Sequence, residues 1–152
     1  MITIRRGNVE DLPRLITLGK DMHNESIYKD IEWDDDIVHN LGMAAIHDNR
    51  YLLLVAETEE DGIIGFFLGF YTTYFFSREC IAQDMALFVS SDKRGYMAAK
   101  KLIDEYTLWA IRIGCREVCL ASSTGINPAK TGALFERLGF NHIGGIYKQR
   151  LS

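Results

Sequence analysis

A basic loop followed by a helix, near the middle of the chain, carries the residues best suited to bind an anion. Lys93 and Arg94 precede Gly95, and the apolar residues after them recur at intervals of three and four, which predicts a long helix. The free N–H groups and the dipole at a helix start, together with adjacent cations, form an anion site. Ala98 and Ala99 are small enough for backbone to approach a bulky anion such as pyrophosphate. The alternative interpretation is a solvated turn, because a basic pair before a helix is more often part of an exposed turn than of a binding site.

The strand that leads into this loop contains a single carboxylate, Asp84. Its neighbours are mostly apolar, and burial among them would raise its pKa toward the range of a general base. The alternative is a structural role, with the side chain hydrogen-bonded in place or on the wrong face of the sheet.

Two further side chains are candidates for contact with a substrate. His23 lies near the end of the first predicted helix and could bind or deprotonate a substrate, although the helix dipole alone favours histidine there. Tyr74 belongs to an aromatic run that ends the long central strand. That run could line a substrate pocket, pack against a second copy of the chain, or belong to the core.

The elements that must position these residues follow from hydrophobic periodicity and turn residues. Strands are predicted over 2–5, 51–57, 63–75, 81–89, 117–122 and 141–151, and helices over 8–24, 34–47, 97–113 and 129–138. Helices alternate with strands only in the second half, which favours an α+β protein with a mixed sheet over a doubly wound parallel one.

Length and composition limit the classes of protein to consider. The 152 residues predict one domain over 1–152, and a net charge of −4 argues against a general nucleic-acid binder. The N-terminus lacks the apolar core of a signal peptide, and the most apolar run, 63–76, is too short and polar to span a membrane. The three cysteines lack metal-ligand spacing, which predicts free, mostly buried thiols in a reducing compartment. We expect a cytoplasmic protein with no metal.

Two motifs resemble those of the GCN5-related N-acetyltransferase (GNAT) superfamily, and the resemblance covers essentially the whole chain. The acetyl-CoA motif of the family, Gln/Arg-x-x-Gly-x-Gly/Ala, is similar to the run from Arg94 to Ala99, with Met97 in place of a glycine. The second motif is similar to residues 127–140, where Asn127 begins the run and Phe-Glu-Arg-Leu-Gly-Phe ends it. The resemblance implies a GNAT fold, with a mostly antiparallel twisted sheet of about six strands and about four helices.

The resemblance also implies acetyl-CoA as cosubstrate. The backbone of the preceding strand would bind the pantetheine arm like an added strand. The N–H groups of the loop would hold the pyrophosphate, two cations would supply charge, and the short helix would flank the thiol end. The implied cofactor-binding residues are Leu87, Phe88, Val89, Lys93, Arg94, Gly95, Tyr96, Met97, Ala98, Ala99, Asn127, Lys130 and Phe135.

The reaction implied is acyl transfer from a thioester to an amine. An alkylamine with a pKa near 10.4 is protonated at neutral pH, so attack needs a proton acceptor. In this family the base is often an acid on the strand before the loop, which here is Asp84. Phe135 stands where many relatives have a tyrosine that protonates the leaving thiolate, so water, Tyr147, Ser123 or no acid at all serves here. His23 and Tyr74 are placed at the acceptor site.

Two alternatives remain open at this stage. A non-catalytic GNAT-fold protein could bind CoA or a protein partner, since Met97 and Phe135 both depart from the motifs. A nucleotide-binding module could use the same helix start, but the chain lacks both common phosphate-loop motifs. The amine acceptor could be a protein N-terminus, a lysine, a polyamine, an antibiotic or a small metabolite, and a homodimer is a further option.

Overall fold

The computed structural model describes residues 1–152. It shows a five-stranded sheet with helices on both faces. The strands are β1 (Thr3–Arg6), β2 (Tyr51–Thr58), β3 (Gly62–Thr73), β4 (Cys80–Val89) and β5 (Glu117–Val118). The helices are α1 (Leu12–Glu25), α2 (Asp35–His47), α3 (Tyr96–Ile113) and α4 (Pro128–Arg137). Short 3-10 turns at Val9–Asp11 and Ser91–Lys93 precede α1 and α3. None of the helices combines the length and apolarity that a membrane span requires.

The strands are ordered β1-β2-β3-β4-β5 across the sheet. The first three pairings are antiparallel, and only β4 and β5 run parallel. A parallel pair needs a crossover connection, which α3 supplies. The predicted α+β class with a mixed, mostly antiparallel sheet is therefore confirmed, with five strands instead of about six.

The core is divided between the two faces of the sheet because side chains alternate along each strand. On one face, α3 buries Tyr106 against Phe67, with ring centroids 4.3 Å apart. On the other face, Leu18 of α1 and Ala45 of α2 pack against strand residues such as Val55 and Phe66. Full burial of an apolar side chain of this size contributes about 1.5–3 kcal/mol. The central strands are thus held from both sides, which fixes the position of β4.

Capping residues explain why several helix boundaries were predictable. The Asp34 carboxylate accepts hydrogen bonds from the N–H groups of Asp36 and Ile37, at 2.9 and 3.2 Å, where α2 begins. Gly114 ends α3 with a φ of 88°, a conformation that glycine adopts at no steric cost. The segment predicted as one helix from Asn8 onward instead starts with the first 3-10 turn.

The prediction for the end of the chain was wrong. The strand predicted over 141–151 is absent, and the strand predicted over 117–122 is reduced to the two residues of β5. Two adjacent glycines interrupt the final segment, and glycine offers no side chain to pack in a strand. The short β5 also provides almost no ladder for a further strand. The segment contacts the loop after α1 instead, where Arg150 pairs with Asp30 at 2.9 Å.

Candidate functional site

The start of α3 leaves backbone donors without protein acceptors. Gly95 precedes the helix in an extended conformation, and no side chain caps the first turn. The N–H groups of Tyr96, Met97 and Ala98 therefore have no acceptor within the helix. A Cβ placed on Gly95 would meet no atom within 4 Å, so the space in front of these groups is open. This geometry suits an anion.

Met97, the residue that replaces a motif glycine, does not distort the helix start. Its φ is not positive, and its side chain is 49 % exposed. An ordinary helical conformation does not require glycine. The side chain of Ala98 points the other way, into the core on the α3 face. Methionine therefore leaves the backbone donors in place.

Both cations of the loop are paired with carboxylates. Lys93 Nζ lies 3.2 Å from Asp61, which raises the pKa of this lysine. The Arg94 guanidinium lies 2.7 Å from Glu25 at the end of α1, and its Nε donates to the Val89 carbonyl at 3.0 Å. The sequence gives no sign of either carboxylate partner, because each comes from a distant segment. An anion at this loop would compete with them.

β4 and β5 run side by side only at their beginning. Ile81 pairs with Glu117 and Ala82 with Val118. One more backbone hydrogen bond follows, from the Cys119 N–H to the Ala82 carbonyl at 2.9 Å. Past this point β5 makes no further pairing with β4.

The unpaired edge of β4 runs toward the start of α3. It includes Leu87, Phe88 and Val89, whose other side is hydrogen-bonded to β3. Alternate backbone groups along such an edge have no strand partner and can bind an added extended chain. The register with β3 shifts around Met85, which forms a β-bulge and bends the strand where the edge opens.

Asp84 lies where the two strands separate. Its Oδ1 accepts the Ala121 N–H at 3.1 Å, so the side chain replaces a strand partner just beyond the end of the ladder. Burial raises the pKa of Asp84 to about 6, while backbone N–H groups lower it less. A carboxylate with this pKa is ionised at pH 7 and can still accept a proton. The hydrogen bond matches the structural interpretation of Asp84, and the raised pKa matches the interpretation as a base.

Tyr106 lies close enough to Asp84 to feel its charge and was not singled out from the sequence. Its hydroxyl donates to the Cys119 carbonyl at 2.7 Å, and its side chain is fully buried. Burial raises the pKa of Tyr106, and the negative charge of Asp84 raises it further. In the sequence Tyr106 belongs to the apolar stripe of α3, and nothing in its spacing distinguishes it from a core residue.

The short helix α4 lies next to the start of α3. The Arg137 guanidinium is 4.3 Å from the centroid of the Tyr96 ring, which joins the end of α4 to the first turn of α3. Asn127 precedes α4 in a left-handed conformation with a φ of 46°. Lys130 is exposed, whereas Phe135 is buried. The two motifs, some thirty residues apart in sequence, are therefore neighbours in space.

His23 lies in the last turn of α1, two residues before Glu25. Its Nδ1 is buried and has no hydrogen-bond partner, and its ring lies 5.4 Å from that of Trp33. Buried polar atoms without a partner are uncommon. Nothing in the structure shows a substrate group reaching this buried nitrogen, and the role predicted for His23 stays a prediction.

Tyr74 lies at the opposite end of β4 from the basic loop. It follows β3 beside the start of β4, and its hydroxyl donates to Glu117 at 2.5 Å. This bond raises the pKa of Tyr74 to about 12. The length of β4 places Tyr74 about 30 Å from the start of α3. Tyr74 is therefore far from the start of α3, and its predicted contact with a substrate stays a prediction.

No protein-family model and no curated protein sequence matches the chain. Solved structures do match it over its whole length. A transcriptional regulator from Bacillus halodurans C-125 is 19 % identical with a TM-score of 0.81, and the match covers 99 % of this chain and 100 % of that one. The aminoglycoside N-acetyltransferase AAC(6')-Iy, in complex with a CoA-containing bisubstrate analogue, is 22 % identical with a TM-score of 0.79 over 100 % and 99 %.

A third match is the glucosamine-6-phosphate N-acetyltransferase from Arabidopsis thaliana. It is 15 % identical with a TM-score of 0.78, over 100 % of this chain and 99 % of that one. At such identities the likeness concerns the fold, which is the one that the two motifs predicted. The chain has the fold of the GCN5-related N-acetyltransferases.

Proposed function

We propose that the chain transfers the acetyl group of acetyl-CoA to an amine. The observation that carries this proposal is the gap between β4 and β5, where one unpaired strand edge connects Asp84 to the open start of α3. The gap thus combines a proton acceptor, an edge for an extended ligand and an anion site. Acetyl-CoA has the matching parts in the same order: a thioester, an extended pantetheine arm and a pyrophosphate. The CoA-containing complex of AAC(6')-Iy on the same fold supports the assignment.

The chain's own residues would bind each part differently. The backbone of Leu87 to Val89 would hydrogen-bond the pantetheine arm as an added strand. The N–H groups at the start of α3 would bind the pyrophosphate, aided by Lys93 and Arg94. Asn127 and the face of α4 that carries Lys130 and Phe135 would flank the thiol end.

Asp84 would act as the general base. The attacking amine loses a proton to its carboxylate, directly or through one water, as the nitrogen forms a bond to the thioester carbonyl carbon. The C–S bond then breaks and the thiolate leaves. A thiolate of this kind has a pKa near 8.5, so it leaves without a protein acid. Phenylalanine at position 135 is therefore compatible with turnover.

A second candidate function is acetyl-CoA binding without transfer. Two observations favour this alternative. Phe135 lacks the hydroxyl of a general acid, and the Asp84 carboxylate already accepts the Ala121 N–H. Turnover with any amine of a panel that covers polyamines, aminoglycosides and peptide N-termini would decide for the enzyme.

Calorimetric titration of acetyl-CoA into the purified protein tests the binding step. We expect saturable binding with a dissociation constant on the order of 1–100 μM, which corresponds to about −5.5 to −8.2 kcal/mol. CoA should bind comparably, because both ligands share the pyrophosphate and the pantetheine arm, and ATP should compete poorly. Absence of binding at millimolar acetyl-CoA would refute both candidate functions.

The ion pair between Glu25 and Arg94 predicts an unusual gain of affinity. Glu25→Gln should tighten acetyl-CoA binding about 2- to 5-fold, because Arg94 would no longer have to leave a carboxylate worth up to about 1 kcal/mol. Arg94→Gln should weaken binding by a similar or larger factor. The double variant should match Arg94→Gln alone, as measured in the same titration. A Glu25→Gln variant that binds less tightly would show that Arg94 does not reach the ligand.

A further inference from the structure

Two of the three cysteines lie in direct contact. Cys80 is the first residue of β4, and Cys115 follows the glycine that ends α3. Their Sγ atoms are 3.0 Å apart, although 35 positions separate them in sequence. Both residues are half-buried, and both are free thiols in the structure. The sequence predicts free, mostly buried thiols, and in the structure all three are free but only half-buried. The contact depends on how α3 returns the chain to β4, so it has no signal in the sequence.

The backbone on each side of the pair is fixed by hydrogen bonds. The Arg116 N–H donates to the Cys80 carbonyl at 2.7 Å, and the Cys115 N–H donates to the Ala110 carbonyl at 3.0 Å. The parallel ladder between β4 and β5 begins at the very next residues. The two sulfurs are therefore attached to rigid elements, and covalent bonding requires them to approach by about 1 Å.

We propose that Cys80 and Cys115 are a redox modification site that forms a reversible intramolecular disulfide with a low-molecular-weight disulfide as oxidant. Neither the assignment as an acetyltransferase nor the binding of acetyl-CoA is needed for this proposal. The bridge would close a loop that contains β4, the basic loop and the whole of α3. Oxidation would thus covalently join the two ends of the segment that carries most of the proposed cofactor-binding groups.

The chemistry proceeds by two exchanges with glutathione disulfide. One protein thiolate attacks a glutathione sulfur, which forms a mixed disulfide and releases the first glutathione thiolate. The second protein thiolate attacks the protein sulfur of that mixed disulfide, forms the Cys80–Cys115 bond and releases the second glutathione. The protein loses two electrons and two protons, and these reduce glutathione disulfide to two glutathione thiols.

Cys119 provides an internal comparison, since burial raises its pKa and it contacts neither of the other two sulfurs. Burial, and the contact with Cys80, raise the pKa of Cys115 to about 12. Exchange depends on the thiolate. Oxidation should therefore be slow at pH 7 and accelerate as the pH rises, because the raised pKa of Cys115 keeps its thiolate scarce.

Mass spectrometry of the full chain after thiol trapping tests the proposal. Reduced protein is incubated at pH 8 with glutathione or with glutathione disulfide, and then alkylated with N-ethylmaleimide under denaturing conditions. We expect three maleimide adducts with glutathione, and one adduct plus the loss of two hydrogens with glutathione disulfide. Tryptic digestion should then give one linked pair of peptides, containing Cys80 and Cys115, and dithiothreitol should reverse it.

Serine variants provide the matched controls. Cys119→Ser should keep the bridge, whereas Cys80→Ser and Cys115→Ser should instead accumulate a glutathione adduct on the remaining partner. Oxidation should raise the Tm of wild type and of Cys119→Ser by about 5–10 °C and leave the other two unchanged. Three adducts with glutathione disulfide, stable glutathionylation without a bridge, or a bridge that includes Cys119 would each overturn the proposal, and wild type alone reports these outcomes.

Discussion

Replacement of Asp84 by asparagine should abolish most turnover and at the same time make the protein more stable. The asparagine carbonyl can still accept the Ala121 N–H, so the separation of β4 and β5 should persist. The variant cannot accept a proton, and loss of a general base lowers kcat by about 10²- to 10⁴-fold. Acetyl-CoA affinity should change by less than about threefold, because the carboxylate does not bind the cofactor in the proposed arrangement. Steady-state kinetics with an accepted amine and calorimetry measure the two quantities.

The stability gain follows from the pKa of Asp84. Folding raises this pKa from 3.8 to about 6, because burial disfavours the carboxylate. Between these pH values the unfolded chain binds fewer protons than the folded one, so the free energy of unfolding falls as pH rises through this window. Above pH 6 the full penalty of about 1–2 kcal/mol is present, after allowance for solvent screening. Asp84→Asn should therefore unfold about 3–6 °C higher than wild type at pH 7 and at nearly the same temperature at pH 4.

Two comparisons make this prediction specific. Asp104→Asn, which removes an exposed carboxylate on α3 that pairs with Lys100, should leave turnover and its pH dependence unchanged. The kcat/KM of wild type should show a limb near pH 6 that the asparagine variant lacks. Normal turnover in Asp84→Asn would show that Asp84 is not the base. Its role would then be structural, as the acceptor of the Ala121 N–H where β4 and β5 separate.

The sequence predicted the elements whose signals are local. The stripe of α3, the aspartate cap of α2 and the glycine that ends α3 are short-range features, and the structure places those elements close to the predicted bounds. The roles of the β4 edge and of the start of α3 were expected from the resemblance of the two motifs to those of a known family. The final strand was not, because its formation depends on a partner strand that β5 is too short to provide.

Neither the pairings within the site nor the contact between the two cysteines could be predicted, because each joins segments that are distant in sequence. Glu25 meets Arg94 across 69 positions, and Cys80 meets Cys115 across 35. The contact between Asp84 and Ala121 depends on the place where β4 and β5 separate. The hydrophobic pattern of the sequence does not predict that place. Residue type predicted which side chains could react, and tertiary packing decided their partners.

Replacement of Gly95 by aspartate should abolish acetyl-CoA binding without any loss of stability. The position is extended, with a φ of −171°, and a Cβ there meets no other atom, so the substitution introduces neither strain nor a clash. Aspartate is among the best residues before a helix, and its carboxylate would accept the N–H groups of the first turn. The helix start would gain about 0.5–1 kcal/mol from the cap and the dipole.

The same carboxylate would occupy the donors proposed for the pyrophosphate and place a negative charge beside it. Two charges about 4 Å apart near a protein surface repel by up to about 4 kcal/mol, and about 2.7 kcal/mol already lowers affinity 100-fold. Together with the blocked donors, we expect affinity to fall about 100-fold or more. Gly95→Asn provides a neutral cap of the same shape and should lose about tenfold, while Gly95→Ala should bind normally. Calorimetry of the three variants separates blocked donors from added charge.

A glycine at this position is informative because a better cap was available at no steric cost. Natural sequences give up local stability at sites whose groups must remain free for a ligand. Under the proposed function, the uncapped N–H groups in front of open space would be such groups, and the buried carboxylate of Asp84 would be another destabilising group kept for the reaction. If Gly95→Asp were both more stable and fully able to bind acetyl-CoA, the start of α3 would be free for no ligand, and the pyrophosphate would have to lie elsewhere.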